Sequence, residues 1–260
     1  MRLSLVSDVH GAFDSLPGIE TDADVTICLG DFLLFIDYED PSQGAFAEVF
    51  GESVAREYVA LRLAKKFDEA RELSAREWQR VAAAHPGEDR AAAYGQIVER
   101  QYREAFANLP GGTYVIPGNV DVPHVLMAYA DSSHRLVDGQ VVEIDGVRFG
   151  FVGGGVFSPY RTPNERDPGE YAQMVESLPP VDVLCTHLPP QHPLLQFDVV
   201  AHRFEVASAA INAYLLANRP RYHFFGHVHQ PLAQRARIGF TECINVGHFR
   251  ARRRPLRIDL

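Results

Sequence analysis

Five short apolar runs, far apart in the chain, each give way within a few residues to a carboxylate, a carboxamide or an imidazole. LSLVS leads into Asp8-Val9-His10, VTICL into Gly30-Asp31, TYVI into Gly118-Asn119, VDVLC into His187, and YHFF into Gly226-His227-Val228-His229. Runs of this length, rich in β-branched and aromatic residues, read as strands. In an open α/β sheet, ligands bind in the crevice beyond the carboxyl ends of the strands, so polar residues placed there converge despite their separation in sequence. The chain is therefore expected to be an α/β protein with one site built from strand ends.

Between Asp31 and Asn119 the texture changes. From Tyr38 to Asn108 the chain is rich in Ala, Glu and Arg, and Phe46, Val49, Phe50, Val54, Tyr58 and Leu61 recur at helical spacing. The pairs Glu52/Arg56, Glu72/Arg76 and Glu99/Arg103 stand four apart on what reads as a solvated face. The pattern predicts a long helix ending near Ala84, itself open to interruption, a break at His85-Pro86-Gly87, and a second helix from about Asp89 to Asn108. The result is a helical hairpin, residues 38–109, inserted into a single domain spanning 1–260. Its apolar stripe must be buried, either as a cap over the crevice or as a homodimer interface. The aromatic set Phe46, Phe50, Tyr58, Phe67, Trp78, Tyr94, Tyr102 and Phe106 favours the homodimer.

Further along, Asp145-Gly146 separates VVEI from VRFGFV and signals a two-residue hairpin turn. The aperiodic stretch Gly153 to Gly169 reads as a functional surface loop, in which Arg161 and Asn164 are candidate substrate-binding residues. A helix from about Phe204 to Asn218 and closing strands near Phe240–Asn245 and Arg250–Ile258 complete the pattern. Arg250, Arg252, Arg253, Arg254 and Arg257 would alternate on that last strand, where they guard a sheet edge rather than form an RNA-binding strip.

The formal charge of -9 also argues against nucleic acid or an anionic membrane as partner. Cys28, Cys185 and Cys243 are odd in number and lie in apolar runs, as reduced core thiols do. No apolar stretch near the N-terminus is long enough for a signal peptide or a membrane span, so a cytoplasmic protein is expected.

The residue types at the strand ends select a chemistry. A single Asp after a strand is ordinarily a turn residue and a single His an ordinary polar side chain, but five such motifs after five apolar runs point to a shared site. Carboxylate oxygen and imidazole nitrogen without thiolate suit manganese, iron or zinc at an open catalytic position. In this order the motifs D-x-H, G-D, G-N, a strand-end H and G-H-x-H resemble those of the calcineurin-like metallophosphoesterase superfamily. Within it, Gly118-Asn119-Val120-Asp121 with Pro123, the loop Gly153-Gly154 to Glu165, and Asn245-Val246-Gly247 are similar to the Icc-related subgroup of predicted phosphoesterases.

The resemblance implies a four-layer α-β-β-α sandwich of two mixed sheets. It also implies two divalent ions, manganese first and iron or zinc as alternatives: Asp8, His10 and His229 on one, Asn119, His187 and His227 on the other, and Asp31 bridging. A hydroxide held by the metals would attack phosphorus in line, with Asp31, Asn119, His227 and His248 as the catalytic set and a small phosphoester, such as a nucleotide, as substrate. The chain departs from the superfamily at Val120, where many members carry a His thought to protonate the leaving group. His124, His192, His202 and His248 are the candidate replacements, His248 foremost because it follows Asn245-Val246-Gly247. Val120 tilts the expectation toward a phosphodiesterase. A phosphomonoesterase or nucleotidase, and a non-catalytic scaffold keeping the fold, are the alternatives.

Overall fold

The computed structural model describes residues 1–84, 90–130 and 132–260, and the break expected at His85-Pro86-Gly87 lies outside the described residues. The chain divides into two compact units, Met1–Phe32 with Glu104–Leu260, and Leu33–Arg103.

The strands, in chain order, are β1 (Arg2–Val6), β2 (Val25–Cys28), β3 (Tyr114–Val115), β4 (Arg135–Leu136), β5 (Val141–Ile144), β6 (Val147–Val152), β7 (Gly155–Val156), β8 (Glu165–Arg166), β9 (Val183–Thr186), β10 (Phe197–Asp198), β11 (Arg203–Phe204), β12 (Tyr222–Phe225), β13 (Arg235–Ile238), β14 (Thr241–Asn245) and β15 (Leu256–Asp259). All belong to the first unit. They form two large mixed sheets, ordered β15-β1-β2-β3-β4 and β13-β14-β12-β9-β6-β5, with β7-β8 and β10-β11 as separate pairs. In the first sheet β1 to β4 run parallel and β15 closes the edge antiparallel. In the second, β6, β9, β12 and β14 run parallel between antiparallel β5 and β13. Parallel strands are covered on both faces, which is why β2 and β9 are buried throughout and read as continuous apolar runs.

The two-residue period of a strand sorts the side chains into layers. Phe149 and Phe151 of β6, Val183 and Cys185 of β9, Phe224 of β12 and Ile244 of β14 meet Leu3, Leu5, Ile27 and Tyr114 of the first sheet in one core. The intervening Val152, Leu184, Phe225 and Cys243 face the other way, onto Tyr171, Val175, Ile211, Tyr214 and Leu215. Those partners belong to two helices, Pro168–Ser177 and Ala209–Asn218, that cover the outer side of the second sheet. This is the α-β-β-α architecture with two mixed sheets that the motif order implied. The turn at Asp145-Gly146 is also where expected: Ile144 pairs with Val147, and the turn residues take φ of 49° and 78°, as a two-residue hairpin of the primed type requires.

Two closing elements differ from expectation. The chain from Arg250 is not one strand: Phe249–Arg252 is a helical turn, and β15 begins only at Leu256. The amides of Phe249 and Arg250 are drawn onto the carbonyls of Ser7 and Asp8, at 3.0 and 3.1 Å, and Arg253 then takes a left-handed φ of 54° that breaks any strand. The Arg residues therefore do not alternate along an edge. Likewise the helix expected from Phe204 starts at Ala209, because Phe204 pairs with Phe197 in a short hairpin.

In the second unit, the long first helix is three: Ala45–Phe50, Glu52–Leu63 and Phe67–Ala84, with breaks at Gly51 and Lys65, whose φ values are 86° and 59°. A fourth helix spans Arg90–Asn108 and leaves the unit at its last turn. The aromatic residues meet one another inside this unit. The Phe46 ring lies 4.4 Å from Tyr58 and 4.7 Å from Phe50, and Phe50 lies 6.3 Å from Trp78.

Candidate metal centre

The carboxyl ends of β1, β2, β3, β9 and β12 meet at one place. Parallel pairing continues past the strands, with Asp8 N–H on Gly30 O and His10 N–H on Asp31 O, both at 2.9 Å. The close approach of the strand-end loops requires glycine. A Cβ on Gly226 would lie 1.9 Å from Ser7 Oγ and 2.6 Å from Asp8 Oδ2, and one on Gly30 would lie 2.0 Å from Gly118 N. Asp8 joins the sheets directly, its carboxylate accepting the His227 N–H at 3.0 Å.

Four of the polar residues at these ends have left-handed backbones: Asp8, His10, Asp31 and His227, with φ of 58°, 40°, 57° and 68°. Non-glycine residues in this region are strained, and the surrounding hydrogen bonds hold them there. Sharp reversal at a strand end turns the side chain back into the crevice.

The seven residues expected as ligands are brought together. Asp31 Oδ2 lies 3.4 Å from His187 Nε2 and 3.7 Å from His10 Nε2. Asn119 Oδ1 lies 3.0 Å from His187 Nε2 and 2.9 Å from His227 Nδ1. On the other side, His229 Nε2 lies 3.5 Å from Asp8 Oδ1 and 3.3 Å from His10 Nε2. Ligands of one ion, each about 2.1 Å from it, lie about 3–4 Å apart, so these separations fit shared cations. The potential ligand atoms of Asp8, His10 and Asp31, and those of Asp31, His187 and His227, each fall within 4.8 Å of one another. Asp31 belongs to both groups.

The surroundings orient these atoms. His187 Nδ1 donates to the Leu29 carbonyl at 2.8 Å, which leaves the Nε2 lone pair of the neutral ring facing Asn119 and Asp31. The Asn119 amide is turned by its Nδ2, which donates to Thr162 Oγ1 at 2.9 Å, so that Oδ1 faces the two imidazoles. Charge favours a cation here. Burial resists ionisation of Asp8 and Asp31, yet the imidazoles around them hold both carboxyls below their usual range. Burial likewise opposes charge on His187, but Asp31 and Asp8 raise its pKa to about 9. A proton held by His187 occupies a place that a cation would take.

The remaining candidates divide. Asn164 is buried and donates its side chain to Gly118 O at 2.9 Å, while its N–H bonds Asn119 O at 2.9 Å, so it clamps the Asn119 loop. Arg161 is exposed, with a φ of 50°. His192 caps a short helix through Leu194 N–H, and His202 lies exposed in a turn. His248 is at the centre: it is 8% exposed, and its ring stacks on His229 at 3.9 Å. Burial and the neighbouring imidazoles push its pKa down to about 2.

One functional residue is visible in the sequence only as part of a motif. Asp121 is fully buried and accepts the N–H groups of Asp31 and Gly118 at 2.8 Å and of Phe32 at 3.1 Å. Its place two residues after Asn119 is the available signal. Asn245 does similar work behind β12, donating to Val228 O at 2.9 Å and accepting the Gly247 N–H at 2.8 Å.

Comparison with known proteins identifies the family and the fold. The model of the family described as calcineurin-like phosphoesterase matches residues 1–231. Among solved structures, TT1561 of Thermus thermophilus is 12% identical at a TM-score of 0.53, covering 99% of this chain and 98% of that one. A second is 16% identical at a TM-score of 0.56, covering 95% of this chain and 91% of that one. At such identities the likeness is one of fold. A search of curated proteins finds no match.

Proposed function

Since the chain belongs to the calcineurin-like phosphoesterase family, we propose that it is a dinuclear metal-dependent phosphoesterase acting on small phosphoesters, with diesters preferred. The observation that carries the reading is Asp31, buried between His10 on one side and His187 on the other, within two groups of potential metal ligands. In this assignment Asp8, His10 and His229 would hold one ion, Asn119, His187 and His227 would hold the other, and Asp31 would serve both. Two divalent ions so held would lower the pKa of a water and offset the charge that builds on phosphoryl oxygens during in-line displacement. The oxygen and nitrogen donor set suits manganese, with iron or zinc as alternatives.

The chain's own residues position the reactants. Asp31 Oδ1 accepts the Val120 N–H at 2.9 Å, which fixes the carboxylate's rotation and leaves Oδ2 toward the imidazoles. Val120 puts an alkyl group where a proton donor would serve the leaving group. The low pKa of His248 makes it a poor donor at neutral pH as well. Diesters with acidic leaving groups need least help, which supports the diesterase over the phosphomonoesterase or nucleotidase reading. Exposed Arg161 could meet a substrate phosphate oxygen.

Among the described residues no helix is long and apolar enough to cross a membrane. The buried free thiols of Cys28, Cys185 and Cys243 support a reducing, cytoplasmic setting. The deciding experiment is hydrolysis of an aryl phosphodiester by chelator-stripped protein with and without Mn2+. We expect turnover only with the ion and none in Asp31→Ala or Asn119→Ala. Undiminished turnover by stripped protein would end the two-metal reading.

A further inference from the structure

We propose that Glu165 is a positioning residue for the Asn119 ligand: acting through the Thr162 hydroxyl, it decides which end of the Asn119 carboxamide faces the metal centre. The inference rests on the two-ion reading above, in which Asn119 serves the ion shared with His187 and His227. Ser158, Thr162 and Glu165 belong to the loop between Gly153 and Gly169, and the seven-ligand set gives them no task.

A carboxamide poses a problem that a carboxylate does not. Its oxygen and its NH2 group are alike in size, so packing cannot tell them apart, and only the surrounding donors and acceptors choose the rotation. The rest of Asn119 is fixed: Asn164 N–H bonds Asn119 O at 2.9 Å, and a Cβ on Gly155 would lie 2.7 Å from Asn119 Cβ. What remains open is a half-turn of the amide. One state offers Oδ1 to His187 Nε2 and His227 Nδ1, at 3.0 and 2.9 Å, where a cation would be held. The other offers N–H groups, which ligate no cation.

The Thr162 proton makes the choice. Asn119 Nδ2 lies 2.9 Å from Thr162 Oγ1, and Thr162 Oγ1 lies 2.8 Å from Glu165 Oε1. A carboxylate only accepts, so the single hydroxyl proton of Thr162 goes to Glu165, and toward Asn119 the hydroxyl can only accept. It therefore takes an N–H, and Oδ1 is left for the centre. Glu165 is itself held from the main chain. Its Oε2 accepts the Ser158 N–H at 2.9 Å, its Oε1 accepts the Ser158 hydroxyl, and that hydroxyl accepts the Tyr160 N–H at 3.1 Å. The direction of these bonds thus starts from two backbone N–H groups, which cannot reverse. Ser158, Thr162 and Glu165 are all half-buried, which limits competition from water.

Glu165→Gln changes this polarity while keeping the shape. The Ser158 N–H retains the side-chain oxygen, so the new NH2 faces Thr162 Oγ1, whose proton then turns to Asn119 and draws Oδ1 away from the centre. Thr162→Val removes the acceptor, whereas Thr162→Ser retains it. The carboxylate introduced by Asn119→Asp has two equivalent oxygens, so no neighbour can turn a wrong end to the metal.

The test is equilibrium dialysis of chelator-stripped protein against Mn2+, with bound metal counted by mass spectrometry. Thermal unfolding in chelator identifies any variant that is misfolded. We expect two ions per chain in the wild type and in Thr162→Ser. Glu165→Gln and Thr162→Val should bind one of the two at least about tenfold more weakly. In an Asn119→Asp background, Glu165→Gln should lose most of that effect. An equal loss in both backgrounds would mean that Glu165→Gln merely loosens the loop, and would overturn the proposal. Wild-type affinity in folded Glu165→Gln, or in Thr162→Val if the former does not fold, would overturn it too. Each of these results leaves the two-ion reading intact, whereas a wild-type chain that binds no ion would overturn both.

Discussion

Asp121 and Asp31 are locked to each other through the main chain: Asp121 Oδ2 accepts the Asp31 N–H at 2.8 Å, and Asp31 Oδ1 accepts the N–H of Val120, beside Asp121, at 2.9 Å. The loops after β2 and β3 are thereby one rigid piece. Burial and the charge of Asp31 raise the Asp121 pKa to about 6, yet three backbone N–H groups point at its carboxylate.

Asp121→Ala leaves those three buried donors without an acceptor. At about 1 kcal/mol for each, the variant should lose roughly 3 kcal/mol of stability. Chemical denaturation in chelator measures this. Metal affinity should fall as well, because Asp31 loses its anchor. A variant of wild-type stability would show that water replaces the carboxylate.

Substrate preference follows from Val120. An aryl diester should be cleaved faster than an alkyl monoester, and Val120→His should recover part of the rate on the poorer leaving group, up to about 100-fold. Steady-state kcat/KM on paired aryl and alkyl substrates decides. Equal rates on both in the wild type would mean that another residue supplies the proton.

Acid sensitivity follows from His223. It is fully buried, Nδ1 has no partner, and burial pushes its pKa from 6.5 down to about 3. Below about pH 6.5 the unfolded chain takes up a proton that the folded chain refuses, so stability is complete above that pH and is lost as the pH falls toward 3. His223→Phe should flatten this limb of the Tm profile. Parallel acid limbs in variant and wild type would assign the loss to other groups.

The helical insertion carries none of the residues at the centre. Replacing residues 36–102 by a short flexible linker should preserve metal binding and turnover of a small aryl diester, read by dialysis and kinetics. Unchanged selectivity toward larger diesters removes the cap role. A homodimer through the insertion requires the full-length chain to sediment at twice 29.0 kDa, and a monomeric mass ends that reading. In the second unit Leu63 and Tyr38 are exposed, at 67% and 42%.

The centre was legible in the linear chain because its parts are local. A buried parallel strand must be a continuous apolar run, and the residue that follows it must lie at the sheet's carboxyl edge, so Asp8, Asp31, Asn119, His187 and His227 could be named without coordinates. The Asp145-Gly146 hairpin was legible for the same reason, since its turn type is a property of two residues. What the sequence left open depends on groups distant in the chain. The Arg250–Arg254 stretch had the composition of an edge strand, but the carbonyls of Ser7 and Asp8 captured its amides. The aromatic residues of the insertion could equally have faced a partner, and only packing shows Phe46, Phe50, Tyr58 and Trp78 facing one another. Asn164 could have been a substrate contact until its amide was found on Gly118 O, and His248 could have lain at the surface until its ring was found stacked on His229. Strand ends are set by neighbours in sequence, whereas the partner of a loop side chain is set by whichever backbone the fold brings beside it.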